Sequence, residues 1–275
     1  MNKVFRRFLF YLIGFLVAIS YLAYRYLYLK GANDFHKEIL VTAAFAVVIG
    51  CFTGIIEIVK AQGKYFWIAL RCFLLIPNKK VYVSLSYLLR IKIPGDEKYF
   101  LVKGAKINQY QPVGGVYKLV GNKDLYKDWK AAPKADRKNP GDLRFFVSAK
   151  FVPKIISWFY SRKDKETGVW REFSEELVET QILSATNFKS IRAEYLGTEE
   201  NILCKQTRFK DEEYHTLIYD IFQIELNTKQ LKEFKKLLKS SSFNEKYAFV
   251  SEDDIKKECF NEHKTRIGQH SKYIL

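Results

Sequence analysis

Two uncharged apolar runs near the start of the chain, joined by a short polar connection, constrain its fold more than any other feature. Phe8 to Tyr24 holds no charged residue and is dominated by Phe, Leu, Ile, Val and Tyr. Ile39 to Ile56 is the second such run, and Glu57 is its first acidic neighbour. Each is roughly 17–18 residues long, close to the ~20 that a helix needs to cross the hydrocarbon core of a bilayer. The connection, Arg25 to Glu38, is too short for anything but an antiparallel hairpin. Residues 1–60 therefore read as a transmembrane hairpin with spans at about 8–28 and 39–59. Lys3, Arg6 and Arg7 resemble the basic start of a signal peptide, but the first run is too long for a typical signal core and ends in Tyr and Arg instead of small residues.

Lys3, Arg6 and Arg7 precede the hairpin and Lys60, Lys64 and Arg71 follow it, against a connection where Arg25, Lys30 and Lys37 are offset by Asp34 and Glu38. The positive-inside bias places both termini in the cytoplasm, with the hairpin in a cell membrane and Tyr21, Tyr24, Tyr26 and Tyr28 near an interface. Phe66 to Ile76 is apolar, too short to span and interrupted by Arg71, so residues 61–80 read as an interfacial linker.

The 275 residues carry 46 Lys plus Arg against 30 Asp plus Glu, a net charge of +16, and 16% aromatics. That aromatic content excludes a disordered chain. The basic surplus calls for an anionic partner or reflects the membrane bias. The four cysteines form no CxxC pair, which argues against a disulfide framework or a zinc site.

From residue 81 onward the pattern is that of a mixed-sheet α+β domain. Val81 to Ile93 and Lys98 to Lys106 read as a strand pair around the Pro94-Gly95-Asp96 turn. Leu143 to Ala149, Ile191 to Leu196, Ile202 to Lys210, Tyr214 to Leu226 and Lys246 to Val250 read as further strands. Pro153 to Tyr160, Trp170 to Thr180 and Thr228 to Lys239 read as helices, and Ser251 caps a last one. In the second of these helices Glu172, Glu175 and Glu176 fall at i, i+3 and i+4 and share one face. Their mutual repulsion would be relieved by Mg²⁺ or by Lys and Arg. Upstream, Pro112-Val113-Gly114-Gly115 offers a place where backbone approaches a ligand closely. Between the two lies a basic segment: Lys118 to Lys165 has 13 Lys plus Arg and 5 Asp, a net of +8. Its centre, Lys127 to Gly141, reads as an exposed loop.

This order of elements resembles the Nudix domain. Gly114-Gly115 match its glycine pair, and Arg171, Glu172, Phe173, Ser174, Glu175 and Glu176 match its Arg-Glu-apolar-x-Glu-Glu helix one for one. The departures are a gap of 55 residues between Gly115 and Arg171, no counterpart for one further Glu, and Val178-Glu179 in place of the closing Gly-apolar pair. With the basic insertion and the hairpin, the chain resembles the SMODS-associated NUDIX domains of bacterial cyclic-oligonucleotide antiphage systems (CBASS).

The resemblance implies two functions. One is a membrane effector: the domain senses a cyclic oligonucleotide, and the hairpin then oligomerises and disrupts the inner membrane, causing cell death or growth arrest. Gly114, Gly115, Lys118 and Arg144 would hold phosphates, with Lys150 a further candidate. Tyr117, Trp129 or Phe145 would stack on bases. The partners implied are the nucleotide, the bilayer and other copies of the chain, with no direct DNA or RNA binding. The other is a membrane-anchored hydrolase of a nucleoside diphosphate-linked substrate, with Glu172, Glu175 and Glu176 holding Mg²⁺. Of the histidines, His215 at a strand head is a candidate base, while His36, His263 and His270 lack metal-like spacing. Tyr110 and Trp170 read as core.

Overall fold

The computed structural model describes residues 3–28, 35–104, 107–121, 124–133, 141–161, 168–205, 213–262 and 264–275. In chain order, α1 (Lys3–Tyr28) and α2 (Phe35–Leu70) precede β1 (Lys80–Arg90), β2 (Lys92–Ile93), β3 (Lys98–Lys103), β4 (Tyr110–Gln111) and β5 (Gly114–Val116). Then come α3 (Leu125–Asp128), β6 (Ala132–Pro133), β7 (Arg144–Ser148), α4 (Val152–Ser161) and α5 (Trp170–Phe173). The remainder is β8 (Arg192–Cys204), β9 (Tyr214–Glu225), α6 (Thr228–Ser240), β10 (Tyr247–Val250), α7 (Glu252–Lys257), β11 (Cys259–Phe260) and β12 (Thr265–Arg266). The chain divides into two units, Met1–Val81 with Val147–Ser161, and Tyr82–Phe146 with Arg162–Leu275.

In the first unit α1 and α2 run antiparallel. Phe8 meets Phe66 at 4.6 Å between ring centroids and Phe15 meets Phe52 at 6.3 Å, so early residues of one helix face late residues of the other. The approach is close. A Cβ on Gly54 would lie 2.8 Å from the Tyr11 ring, so only glycine leaves room for that tyrosine. Arg6–Tyr28 and Glu38–Ala61 are each long and apolar enough to cross a membrane, and 6% and 0% of their most apolar windows are buried. Phe10, Ile13, Phe45 and Ile49 all project outward. The polar centre of the connection, Lys30 to Asp34, lies outside the described residues.

The separate linker helix read over Phe66 to Ile76 is instead the end of α2. No proline or cap interrupts the run from Phe35, so the helix continues to Leu70 and closes in a wider π-turn at Arg71–Leu75, where Ile76 N–H donates to the Arg71 carbonyl at 3.0 Å. Pro77 follows and prevents continuation. α4, the apolar helix of the insertion, belongs to this unit and sets Tyr160 edge-on to Tyr65.

The second unit is α+β. A six-stranded sheet has the order β6-β7-β1-β9-β8, with β5 also on β1. β1 is buried from Val81 to Leu89, as befits a central strand, and the two polar side chains within it, Ser84 and Ser86, hydrogen-bond each other at 3.1 Å. β8 and β9 pair antiparallel from Arg192↔Glu225 to Cys204↔His215. The two short strands read at Ile191 to Leu196 and from Ile202 are therefore one. The polar residues between them sit on an exposed strand whose register shifts at Tyr195/Gly197 and Asn201/Cys204, which is a bulge instead of a loop. The end of that reading, Gln206 to Lys210, is outside the described residues.

A second sheet has the order β10-β3-β2, with β4 on β3. Asn227 caps α6 through a reciprocal box with Gln230, and Ser251 caps α7 through one with Asp254. An aromatic series holds these layers together: Trp170–Phe173, Phe173–Phe188, Phe188–Phe234 and Phe234–Phe100 have centroid separations of 5.8, 5.6, 5.8 and 5.1 Å. Each of these rings except Trp170 is fully buried, so the residue read as core at 170 is the exposed end of the series. Tyr110 is core, as expected.

Candidate functional site

The acidic turn is anchored from beneath. Phe173 and Leu177, four residues apart, are completely buried, and Phe173 sits in the aromatic series. One turn of α-helix, α5, then widens into a π-turn over Ser174–Val178, where Glu179 N–H donates to the Ser174 carbonyl at 2.9 Å. The expected straight helix to Thr180 is thus only half α-helical. Gln181, with φ of +60°, ends it, and the Ile182 and Leu183 amides both donate to the Leu177 carbonyl. The extra residue of the π-turn separates carboxylates that α-helical spacing would put on one face. Glu172 and Glu176 turn inward. Glu175 stays at the surface, its side chain 46% exposed.

They turn inward onto the glycine pair. β5 pairs with β1 through Tyr87↔Gly115 and Leu88↔Gly114, which holds both glycines in the sheet. The Gly114 amide donates to Glu176 Oε2 at 3.4 Å. A Cβ on Gly115 would fall 2.1 Å from the Glu172 carboxyl carbon, and one on Gly114 would fall 2.3 Å from the Tyr87 carbonyl. Segments 55 residues apart are therefore adjacent in space. The chain after β5 remains in register, with Tyr117 N–H donating to the Leu85 carbonyl and Leu119 N–H to the Gly141 carbonyl at 2.8 Å. The insertion leaves and re-enters the sheet at neighbouring points, so its length is no obstacle to reassembling the site.

Arg171 ties the turn to the strand. Its Nη1 pairs with Glu172 Oε1 and lies 3.6 Å from Glu175 Oε1, and its Nη2 donates to the Val116 carbonyl at 3.1 Å. Burial is the main force on the Glu176 carboxyl and pushes it from 4.5 up to about 8; the charge of Glu172 adds to this, the Gly114 amide opposes it, and Glu175 adds a little more. Glu172 is also raised, chiefly by burial. Arg171 opposes that through its charge and its hydrogen bond, and Glu175 and Asp142 push it further up. Asp142 is the residue that sequence reasoning missed. It bridges Lys118 across strands and adds a carboxylate beside Glu172. Only the sheet register reveals it, since in sequence it is one acidic residue in a basic segment.

These residues do not fit a resident Mg²⁺. Glu172 is committed to Arg171 and Glu176 to the Gly114 amide, and a cation site needs several oxygens converging on one point. Among the described residues no group of three or more His, Cys, Asp or Glu side chains is placed to hold a metal ion.

The other expected ligand residues scatter. Trp129 and Phe145 are fully buried and stack on each other at 5.6 Å, so the loop read at Lys127 to Gly141 begins with a core tryptophan and neither ring is open to a base. Tyr117 is 2% exposed, packs against Tyr87 and donates to Asp220 Oδ2 at 2.6 Å. Lys118 and Arg144 are half-buried near Asp142, where the Arg144 amide donates to the Asp142 carbonyl. Lys150 belongs to the first unit. Lys134 to Pro140, the centre of the basic segment, and His263 lie outside the described residues. His215 is buried in β9, and His270 stacks on Tyr219.

An α+β domain in which a glycine-bearing strand meets an Arg-Glu-Phe-Ser-Glu-Glu turn defines a Nudix-like domain. The SMODS-associated NUDIX domain family matches residues 80–275, and the chain belongs to that family. Comparison with curated proteins gives no match, and comparison with solved structures gives none either.

Proposed function

We propose that this chain is a membrane effector of CBASS-type antiphage defence. Its NUDIX-like domain, residues 81–275, senses a cyclic oligonucleotide. The hairpin, residues 1–60, then associates with other copies and breaches the inner membrane, which arrests or kills the cell. The observation that carries this reading is the union in one chain of a SMODS-associated NUDIX domain with two long helices whose apolar faces are unburied. Each large apolar side chain left in water forgoes about 1.5–3 kcal/mol of burial, so a bilayer is the solvent these helices need. The Lys and Arg distribution supports cytoplasmic termini. Ligand binding acts by shifting an equilibrium between arrangements of the chain.

A binding role, in preference to hydrolysis, is supported by the engagement of Glu172 and Glu176 with Arg171 and Gly114. The test is the full chain in dye-loaded liposomes challenged with cyclic di- and trinucleotides. Leakage that requires ligand, with the ligand recovered intact, is expected, and removal of residues 1–60 abolishes it. Conversion of the ligand to a linear product, dependent on Mg²⁺ and lost in Glu175→Gln, would establish the anchored hydrolase instead. Undiminished killing by the truncated chain would reduce the hairpin to an anchor.

A further inference from the structure

The acidic turn is a poor place for phosphates: three glutamates and Asp142 surround it, and Arg171 is already engaged. A different feature of the second unit has the complementary charge. Along α6, Lys229, Lys232 and Lys236 stand at i, i+3 and i+7, which puts them on one stripe of the helix, opposite the buried Gln230 and Phe234. They line an open groove of about 510 Å³ together with Ser184, Asn187, Glu233, Leu237 and Ser240.

The far wall of that groove is built, and its construction is specific. Glu233 accepts from the Ser184 amide at 2.6 Å, from Ser184 Oγ at 3.0 Å and from Asn187 Nδ2 at 2.6 Å. On the buried side Gln230 Nε2 donates to the carbonyls of Asn187 and Ser190, at 3.3 and 3.0 Å. The 184–190 segment is thus pinned to the helix by five hydrogen bonds, all to one turn of α6. The one carboxylate in the groove has its oxygens occupied by these donors.

The lysines are differently placed. Lys235, on another face of the helix, is paired with Asp96 at 3.7 Å. Among the described residues Lys229, Lys232 and Lys236 have no ion pair, and all three are exposed. Three ammonium groups at this spacing repel one another, and a multivalent anion removes the repulsion. With Glu233 the groove carries a formal surplus of two positive charges. Its volume falls within the range of small-ligand sites, and the lysine stems with Leu237 offer apolar surface for a sugar or base.

We infer that the α6 groove is the binding site for a phosphorylated ligand carrying two or more negative charges, and that it is where the cyclic oligonucleotide of the proposed function docks. The second half of this inference rests on the sensor reading; the first half stands without it.

The experiment is lysine footprinting of the full chain in zwitterionic nanodiscs. Brief acetylation is read by mass spectrometry with and without inorganic pyrophosphate, cyclic di-adenylate, cyclic tri-adenylate or cyclic di-guanylate. Protection of Lys229, Lys232 and Lys236, with the neighbouring Lys239 unchanged, is expected. The Lys229→Gln/Lys232→Gln/Lys236→Gln variant, altered only on an exposed helix face, should bind the protecting nucleotide about tenfold more weakly or worse. Protection by pyrophosphate alone would uphold the dianion site and sink the sensor reading. Nucleotide binding with protection elsewhere, and unchanged affinity in the triple variant, would overturn the groove and leave the sensor reading standing. Protection that appears only when anionic lipid replaces zwitterionic lipid, with none from any soluble probe, would overturn both halves in favour of a headgroup site.

Discussion

Glu176→Gln should stabilise the folded domain at neutral pH and flatten its pH dependence. Burial and the charge of Glu172 hold the Glu176 carboxyl at about 8 in the folded chain, against 4.5 when solvated. Below 4.5 it is protonated in both states and imposes no penalty. Between 4.5 and 8 the folded state keeps the proton that the unfolded state has released, so stability is lost as pH rises, at about 1.4 kcal/mol per unit. Between pH 5 and 7.5 the loss amounts to about 3 kcal/mol, and it levels off once pH passes the folded value. Glutamine reproduces the neutral acid, since its carbonyl accepts from the Gly114 amide as Glu176 Oε2 does. The assay is denaturant unfolding of the full chain in detergent, followed by tryptophan fluorescence, at half-unit steps from pH 5 to 8.5. The difference between wild type and variant isolates this one group, because other titrations occur in both. The gap should widen steadily in the variant's favour up to about pH 8. Parallel curves would mean that Glu176 is ionised and solvated, and the account of a closed site would be wrong.

Gly115→Ala places a methyl 2.1 Å from the Glu172 carboxyl carbon, which should cost about 1–3 kcal/mol in the same unfolding assay; Gly115→Ala/Glu172→Ala should recover most of it. Phe173→Ala removes a fully buried ring beneath the acidic turn, with an expected loss of about 3–5 kcal/mol and faster amide exchange at Gly114. Asn227→Ala deletes the cap of α6 and should lower stability by about 1 kcal/mol, while Lys229, Lys232 and Lys236 keep their footprint if the groove depends on the helix body.

The sequence announced its membrane-length helices and most of the sheet because each depends on local pattern: uncharged runs, stretches rich in β-branched and aromatic residues, and Ser251 before a helical period. What it hid depends on distance. Phe173 and Leu177 bury one side of the acidic turn, and the π-turn that parts Glu175 from Glu176 has no local signature. Asp142 joins the site through a sheet register, and Trp129 sits in the core although its neighbours are those of a loop. Lys229, Lys232 and Lys236 were readable as a stripe, since the apolar period of Leu231, Phe234 and Leu237 fixes what faces away. Only the hydrogen bonds that Glu233 accepts from Ser184 and Asn187 turn that stripe into the side of a groove.

The glycine pair reads from sequence as a place where a ligand approaches the backbone, and the space in front of it supports the sensor reading proposed above over the hydrolase. Glycines without side chains let something approach the backbone. In a hydrolase that something is a phosphate chain; here it is the protein's own carboxylates, with Glu176 on the Gly114 amide and Glu172 against Gly115. A phosphate entering there would have to break the Arg171–Glu172 pair and take the Gly114 donor from Glu176. It would then face Glu175 and Asp142 with no cation released to it except Arg171. Truncating one partner of a buried charged hydrogen bond costs on the order of 2–5 kcal/mol, a barrier that ligand binding would have to exceed before gaining affinity. At the α6 groove no internal pair has to break, and the anion meets uncompensated lysines. On the sensor reading proposed above, the acidic turn would serve as a clasp that locks strand to helix, and recognition would move to α6, the helix to which the following segment, 184–190, is bonded.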